Sequence, residues 1–169
     1  MKITRDAPPP GHWRFRPSGP RPARFEHLED EAVGLLRALA FHRVDHVVVG
    51  ATAAAVHGDT SERGPLAIVP APYARNYAKL AGLLRELRVR MRVEGDEEGL
   101  AFLPTPEALR LRRTALRCAD GDIDVVPDPP GTTYGELLAD ARREELEPGL
   151  HVDVAAPGQL TSPERLAAA

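Results

Sequence analysis

The sequence predicts an α/β fold, a mixed β-sheet packed with helices in a single domain. Three observations carry that expectation. The stretch Val47 to Val69 passes from an apolar run through a glycine and a small-residue segment, turns through polar residues and returns as a second apolar run. Leucine stripes at helical spacing lie on either side of it and can cover a sheet. Farther on, Ala119-Asp120-Gly121-Asp122 separates two extended segments, which is a hairpin signal.

Taken in order, residues 1–24 include PPPGHW and RPSGPRPAR. They hold too little apolar content to pack, and their prolines favour extended backbone, so they read as a mostly irregular arm ahead of a domain at 25–169. Trp13 and Phe15 are candidate anchors for it. The first helix is expected from Glu26 to Ala40, with Leu28, Val33, Leu35, Leu36 and Leu39 as its apolar stripe. Acidic residues near its start suit the helix dipole. Asp45 to Val49 is a short strand, and β-branched Val47, Val48 and Val49 point to burial on both faces.

Gly50 ends that strand, and Ala51–His57 is a short alanine-rich helix. Gly58 to Arg63 is a polar loop, and Leu66–Val69 is a strand closed by Pro70. A long helix follows from Tyr73 to Leu87, with Tyr77, Leu80, Leu83, Leu84 and Leu87 on one face. Arg88 to Val93 alternates as a strand facing partly outward, and Glu94 to Glu98 reads as an acidic turn or loop. Thr105-Pro106-Glu107 resembles a short turn, while Leu109–Cys118 and Ile123–Val126 are the extended arms of the hairpin. Thr133 to Arg143 is a helix capped by Thr132 or Thr133, and His151–Val154 is a short strand. Ser162-Pro163-Glu164 opens a last helix, with proline at its first position.

Composition excludes several classes. At 169 residues the chain can bury a real core, although scarce aromatics leave that core to Leu, Val and Ala. The single Cys118 excludes a disulfide framework and fits a reducing, cytoplasmic location. No apolar run approaches the roughly 20 residues of a membrane span, and the N-terminus lacks the apolar core of a signal peptide, so no membrane partner is expected. Within residues 1–25, Lys2, Arg5, Arg14, Arg16, Arg21 and Arg24 face only Asp6, a balance of +5 inside a net charge of −3. The rest of the chain is therefore acidic, at −8. Nucleic acid needs a basic face and is not expected as a partner, whereas the arm could touch an acidic protein.

Chemistry centres on Val49-Gly50-Ala51-Thr52, where a strand ending in glycine can present backbone N–H groups to a phosphate. Gly50, Ala51 and Thr52 are thus the candidate nucleotide-binding residues. The run VDHVVVGATAAAVHG, then LAIVP, a leucine-rich helix with Asn76, and LRCADGDIDVVPD resembles the minimal nucleotidyltransferase fold. The resemblance covers Val44 to Leu160 and is nearest to bacterial proteins related to toxin–antitoxin and abortive-infection systems. It implies a strand ending in two glycines, a helix closing on His-Gly, two metal-binding aspartates on the returning strand and a third on a later strand. The metal would be Mg²⁺, which neutralises a nucleoside triphosphate and wants carboxylates and water.

Carried onto this chain, the first glycine falls on Gly50 and the second on Ala51, with His57-Gly58 closing the helix. The first metal aspartate falls on Pro65 and the second on Ala67, the preceding arginine falls on Gly64, and the third aspartate falls on Asp124. Two of the three implied ligands are missing. The resemblance therefore implies a nucleotidyltransferase-like protein without transfer chemistry and without a cofactor, acting as a nucleotide- or protein-binding regulatory module. Asp124 is its residual catalytic candidate. The alternative is an active Mg²⁺ enzyme with relocated ligands, in which Asp122, Glu62 or Asp59 joins Asp124. Over that relocated site, the residues favour Asp122 and Asp124 as turn and strand-end carboxylates facing solvent or Arg117.

The remaining candidates divide between structure and function. His57 closes a helix, and His42, His46 and His151 show no metal-ligand spacing. Asn76 matches a position near the family's active-site face, yet a polar residue at a helix start also serves a turn. Arg110, Arg112, Arg113 and Arg117 form a basic stretch that fits phosphate contact or simple strand alternation.

Overall fold

The computed structural model describes residues 19–161 and Leu166. The expectations for Trp13, Phe15 and the helix opened by Ser162-Pro163-Glu164 lie outside the described residues. A short 3-10 turn, Ala23–Phe25, precedes helix α1 (Asp30–Phe41). The chain then forms β1 (His46–Val49), α2 (Gly50–Val56), β2 (Leu66–Pro70) and α3 (Ala74–Glu86). It continues through β3 (Arg90–Val93), β4 (Asp96–Ala101), α4 (Pro106–Leu111) and the hairpin β5 (Thr114–Cys118) and β6 (Gly121–Val125). Helix α5 (Tyr134–Asp140) and strands β7 (Arg142–Glu147) and β8 (Leu150–Val154) complete it.

Among the described residues, eight strands join one mixed sheet in the order β4-β3-β5-β6-β2-β1-β8-β7. β1 is antiparallel to β2 and parallel to β8, while β2 is parallel to β6. The valines of β1 are fully buried because both faces of the central strands are covered. Val48 belongs to the cluster containing Leu35, Leu36 and Leu39 of α1 and Leu80, Leu83 and Leu84 of α3. Val47 and Val49 belong to a smaller cluster with Ala67, Val69, Leu137 of α5, Leu160 and Leu166. Period-two alternation sends successive residues into different clusters. No helix among the described residues is long and apolar enough to cross a membrane.

Three expectations change. The acidic segment 94–98 is only a turn at Glu94 and Gly95, after which Asp96–Ala101 becomes the edge strand β4. Gly95, at φ +79°, makes the tight connection, and an edge strand tolerates the charge that disguised it. Thr105-Pro106-Glu107 opens a true helix, α4, that includes Leu109 and shortens the expected strand. The Thr105 hydroxyl accepts from the Ala108 N–H at 3.1 Å, and Pro106 occupies the first turn. The helix expected from Thr133 to Arg143 starts on a Thr133–Glu136 capping box but stops at Asp140, and Arg142 and Arg143 already lie in β7. There, charge-rich residues pair with β8, and Arg37 of α1 makes a two-pronged contact with the buried Glu147.

Packing also begins earlier than the expected boundary at residue 25. Arg21 donates to the Leu28 carbonyl (2.8 Å) and to Asp30 (2.9 Å), Arg24 pairs with Glu144 (3.3 Å), and Phe25 is buried.

Candidate functional site

The site grows from the register of the central strands. Ala67 on β2 lies between Val49 on β1 and Asp124 on β6, so all three share one face. Pro65 sits just before β2 begins. The arrangement brings the Gly50 turn, Pro65, Ala67 and Asp124 to one end of the sheet.

Asp124 is 1 % exposed and carries no solvent-facing oxygen to spare. Its Oδ1 accepts from Arg92 Nη2 at 2.7 Å, and its Oδ2 accepts from Arg113 Nη2 at 2.8 Å. A carboxylate removed from water is costly unless it is paired and hydrogen-bonded, and two guanidiniums satisfy both conditions here. Asp122, two residues back on the same face, takes a forked contact from Arg117 (3.0 and 3.2 Å) and lies 3.6 Å from Arg92. Arg117 is consequently held even above the usual arginine range by the Asp122 carboxylate. Asp122 thus faces Arg117 as one sequence reading held, while Asp124 is buried and faces neither solvent nor Arg117.

A divalent cation does not fit these residues. It needs several oxygen ligands, whereas Asp124 has a methyl group beside it at Ala67 and guanidiniums on both oxygens. Asp59 is occupied by the Ser61 N–H (3.0 Å) and hydroxyl (2.6 Å). Glu62 lines a separate cleft of about 270 Å³ with His27, Glu29, Thr52 and Arg63. Among the described residues, no three His, Cys, Asp or Glu side chains are grouped to hold a metal ion.

The Gly50 turn is closed as well. Gly50 has φ +70° and donates its N–H to the Leu160 carbonyl at 2.7 Å. A side chain placed there would come within 3.0 Å of Leu166 Cδ1 and 3.3 Å of the Ala67 methyl. Ala51 and Thr52 are 6 % and 7 % exposed, and Ala51 packs against Gly64. The three candidate nucleotide-binding residues therefore stand together, with the backbone donor of the first already engaged.

Other candidates resolve into structure. Asn76 is fully buried; its Oδ1 accepts from the Asp45 N–H (2.8 Å), and its Nδ2 donates to the carbonyls of Asp45 (2.8 Å) and Ala71 (3.1 Å). It ties α3 to the start of β1 and the end of β2. His57 Nε2 donates to the Ala155 carbonyl at 2.7 Å, fixing the residue that follows β8. His46 donates Nδ1–H to the Val44 carbonyl (2.8 Å), its Nε2 is enclosed without a hydrogen-bond partner, and burial pulls its pKa down. Of the basic stretch, Arg110 lies over the Tyr77 ring and Arg112 is exposed, while only Arg113 and Arg117 reach carboxylates. Arg92 was missed as a site residue. Its signal is the alternation Arg90, Arg92 within β3, whereas Arg88, expected to start that strand, sits in the turn after α3 at φ +52°.

No family model matches the chain, and a search of curated proteins finds no match. Fold and site together define a mixed α/β domain whose central carboxylate is neutralised by arginine.

Proposed function

We propose that the chain is a nucleotidyltransferase-fold protein in which metal-dependent transfer has given way to a binding and regulatory role. The observation that carries this reading is the clamp on Asp124. The carboxylate that a metal would need is buried, lies beside Ala67, and has each oxygen engaged by an arginine. The layout of strand, glycine turn, short helix and antiparallel strand, with the Asp124 strand alongside, supports the fold assignment. Between the two ligand classes, a protein partner is favoured over a nucleotide, because the Gly50 N–H is engaged by Leu160.

The test is incubation with each labelled nucleoside triphosphate and Mg²⁺ in the presence of RNA and protein acceptors. The expected outcome is no Mg²⁺-dependent transfer and no shift in melting temperature with Mg²⁺ and a non-hydrolysable triphosphate. Transfer that requires Mg²⁺ and disappears in Asp124→Ala overturns the reading.

A further inference from the structure

The cleft that Glu62 lines is separate from the Asp124 clamp. It encloses about 270 Å³ between the start of α1, one side of α2 and the loop before β2. Its walls are held in place. His27 Nε2 donates to the Ala55 carbonyl at 2.6 Å, and the Asp59 N–H donates to the Ala54 carbonyl at 3.0 Å. Asp59 in turn accepts from the N–H and hydroxyl of Ser61, which fixes the loop. Ala32, Ala51 and Ala55 give the cleft short apolar sides.

The polar groups lining it are rich in acceptors and short of donors. Thr52 is 7 % exposed and lines the cleft, and among the described residues its hydroxyl has no hydrogen-bond partner. A hydroxyl enclosed in this way costs free energy unless something in the cleft bonds it. Glu29 stands at the N-cap of α1 without making a capping bond, so its carboxylate is not committed to the helix. Glu62 lies on the facing loop. Arg63, the cation among the described lining residues, is 3.8 Å from Glu29 with 88 % of its side chain exposed, so water screens that pair. With His27 neutral, two carboxylates against one guanidinium leave the lining at −1. Because Nε2 of His27 donates to a carbonyl, its Nδ1 is a further acceptor in the neutral ring.

We propose that this cleft binds a small organic cation, an ammonium carried on a short aliphatic chain with a hydroxyl at its far end. The ammonium is held by Glu29 and Glu62, the chain lies along the alanines, and the hydroxyl bonds Thr52. An acidic lining repels phosphate, so the occupant is not a nucleotide. The site stands independently of the function proposed above.

Titration of the full chain with aminobutanol, its amine and hydroxyl at opposite ends, tests the proposal through amide chemical shifts. Two further probes change only the charged end: butanediol is neutral there and hydroxybutanoate is anionic. The expected result is a saturable shift at Thr52, Thr60 and Gly64 with the amine, about tenfold weaker binding of the diol, and weaker binding still of the carboxylate. Thr52→Val weakens the amine about fivefold, whereas Thr52→Ser, which keeps the hydroxyl, leaves it unchanged. Glu29→Gln combined with Glu62→Gln weakens the amine about tenfold and leaves the diol as it was. Both of those side chains are exposed, so the double variant carries the test should Thr52→Val not fold. Equal affinity for the three probes overturns the proposal, as does the lack of a saturable shift with the amine. Amine binding at full strength in the double variant overturns it too.

Discussion

Two adjoining regions of one sheet face solve the problem of burial in opposite ways. Around β1 and the start of β2, Val47, Val49, Ala67 and Val69 meet Leu160 and Leu166, and the region is apolar and covered. One strand farther, Asp122 and Asp124 meet Arg92, Arg113 and Arg117, and the region is held by charge. The border runs between Ala67 and Asp124, which are neighbours in register. The difference teaches that a buried carboxylate survives beside an apolar cluster only because guanidiniums reach it from β3 and from the residue before β5. The charge of Asp124 is balanced by cations of the chain itself, Arg92 and Arg113.

The largest test of that contrast is Arg92→Met combined with Arg113→Met, which leaves Asp124 buried and uncompensated. A loss of about 4 kcal/mol in denaturant unfolding is expected, and restoring neutrality with Asp124→Asn should recover much of it. Next is Ala67→Asp, which carries charge across the border into the apolar region. A loss of about 3 kcal/mol is expected, and Mg²⁺ should not raise the melting temperature of the variant. Gly50→Ala is smaller. Its methyl must occupy a left-handed backbone and meet Leu166, costing about 2 kcal/mol, which for a chain of this size is about 4–8 °C in melting temperature.

The smallest effect concerns pH. His46 binds its proton less readily folded than unfolded, because burial lowers its pKa. As pH falls through the ordinary histidine range, the unfolded chain takes up a proton that the folded chain refuses, so stability declines towards acid. The decline levels off below the folded value, and His46→Gln should flatten this part of the melting curve measured from pH 7 to pH 5.

Much of the central layout was legible because it rests on local signals. Val47 to Val49, Gly50 with its alanine helix, and the Asp120-Gly121 hairpin each carry their conformation in a few adjacent residues. Pro65, Ala67 and Asp124 were singled out only through the resemblance and not by any signal of their own. β4 and β7 were not legible, since edge strands need no apolar alternation and their charges imitate loop and helix. Nor was the clamp. Arg92 and Asp124 are 32 residues apart, and nothing in either neighbourhood names the other. The seat of Leu160 and Leu166 over Gly50 is hidden for the same reason.

The order of strands has a consequence for how the molecule is made. β1 and β2 occupy the middle of the sheet, yet each has one neighbour that is synthesised much later. β2 waits for β6, and β1 waits for β8, whose Val154 pairs with Val48. Such distant closures make folding slow, because the entropy of bringing the ends together is lost before the contacts form. A nascent chain halted before residue 150 would hold β1 with one edge bare, and β8 seals it once it emerges.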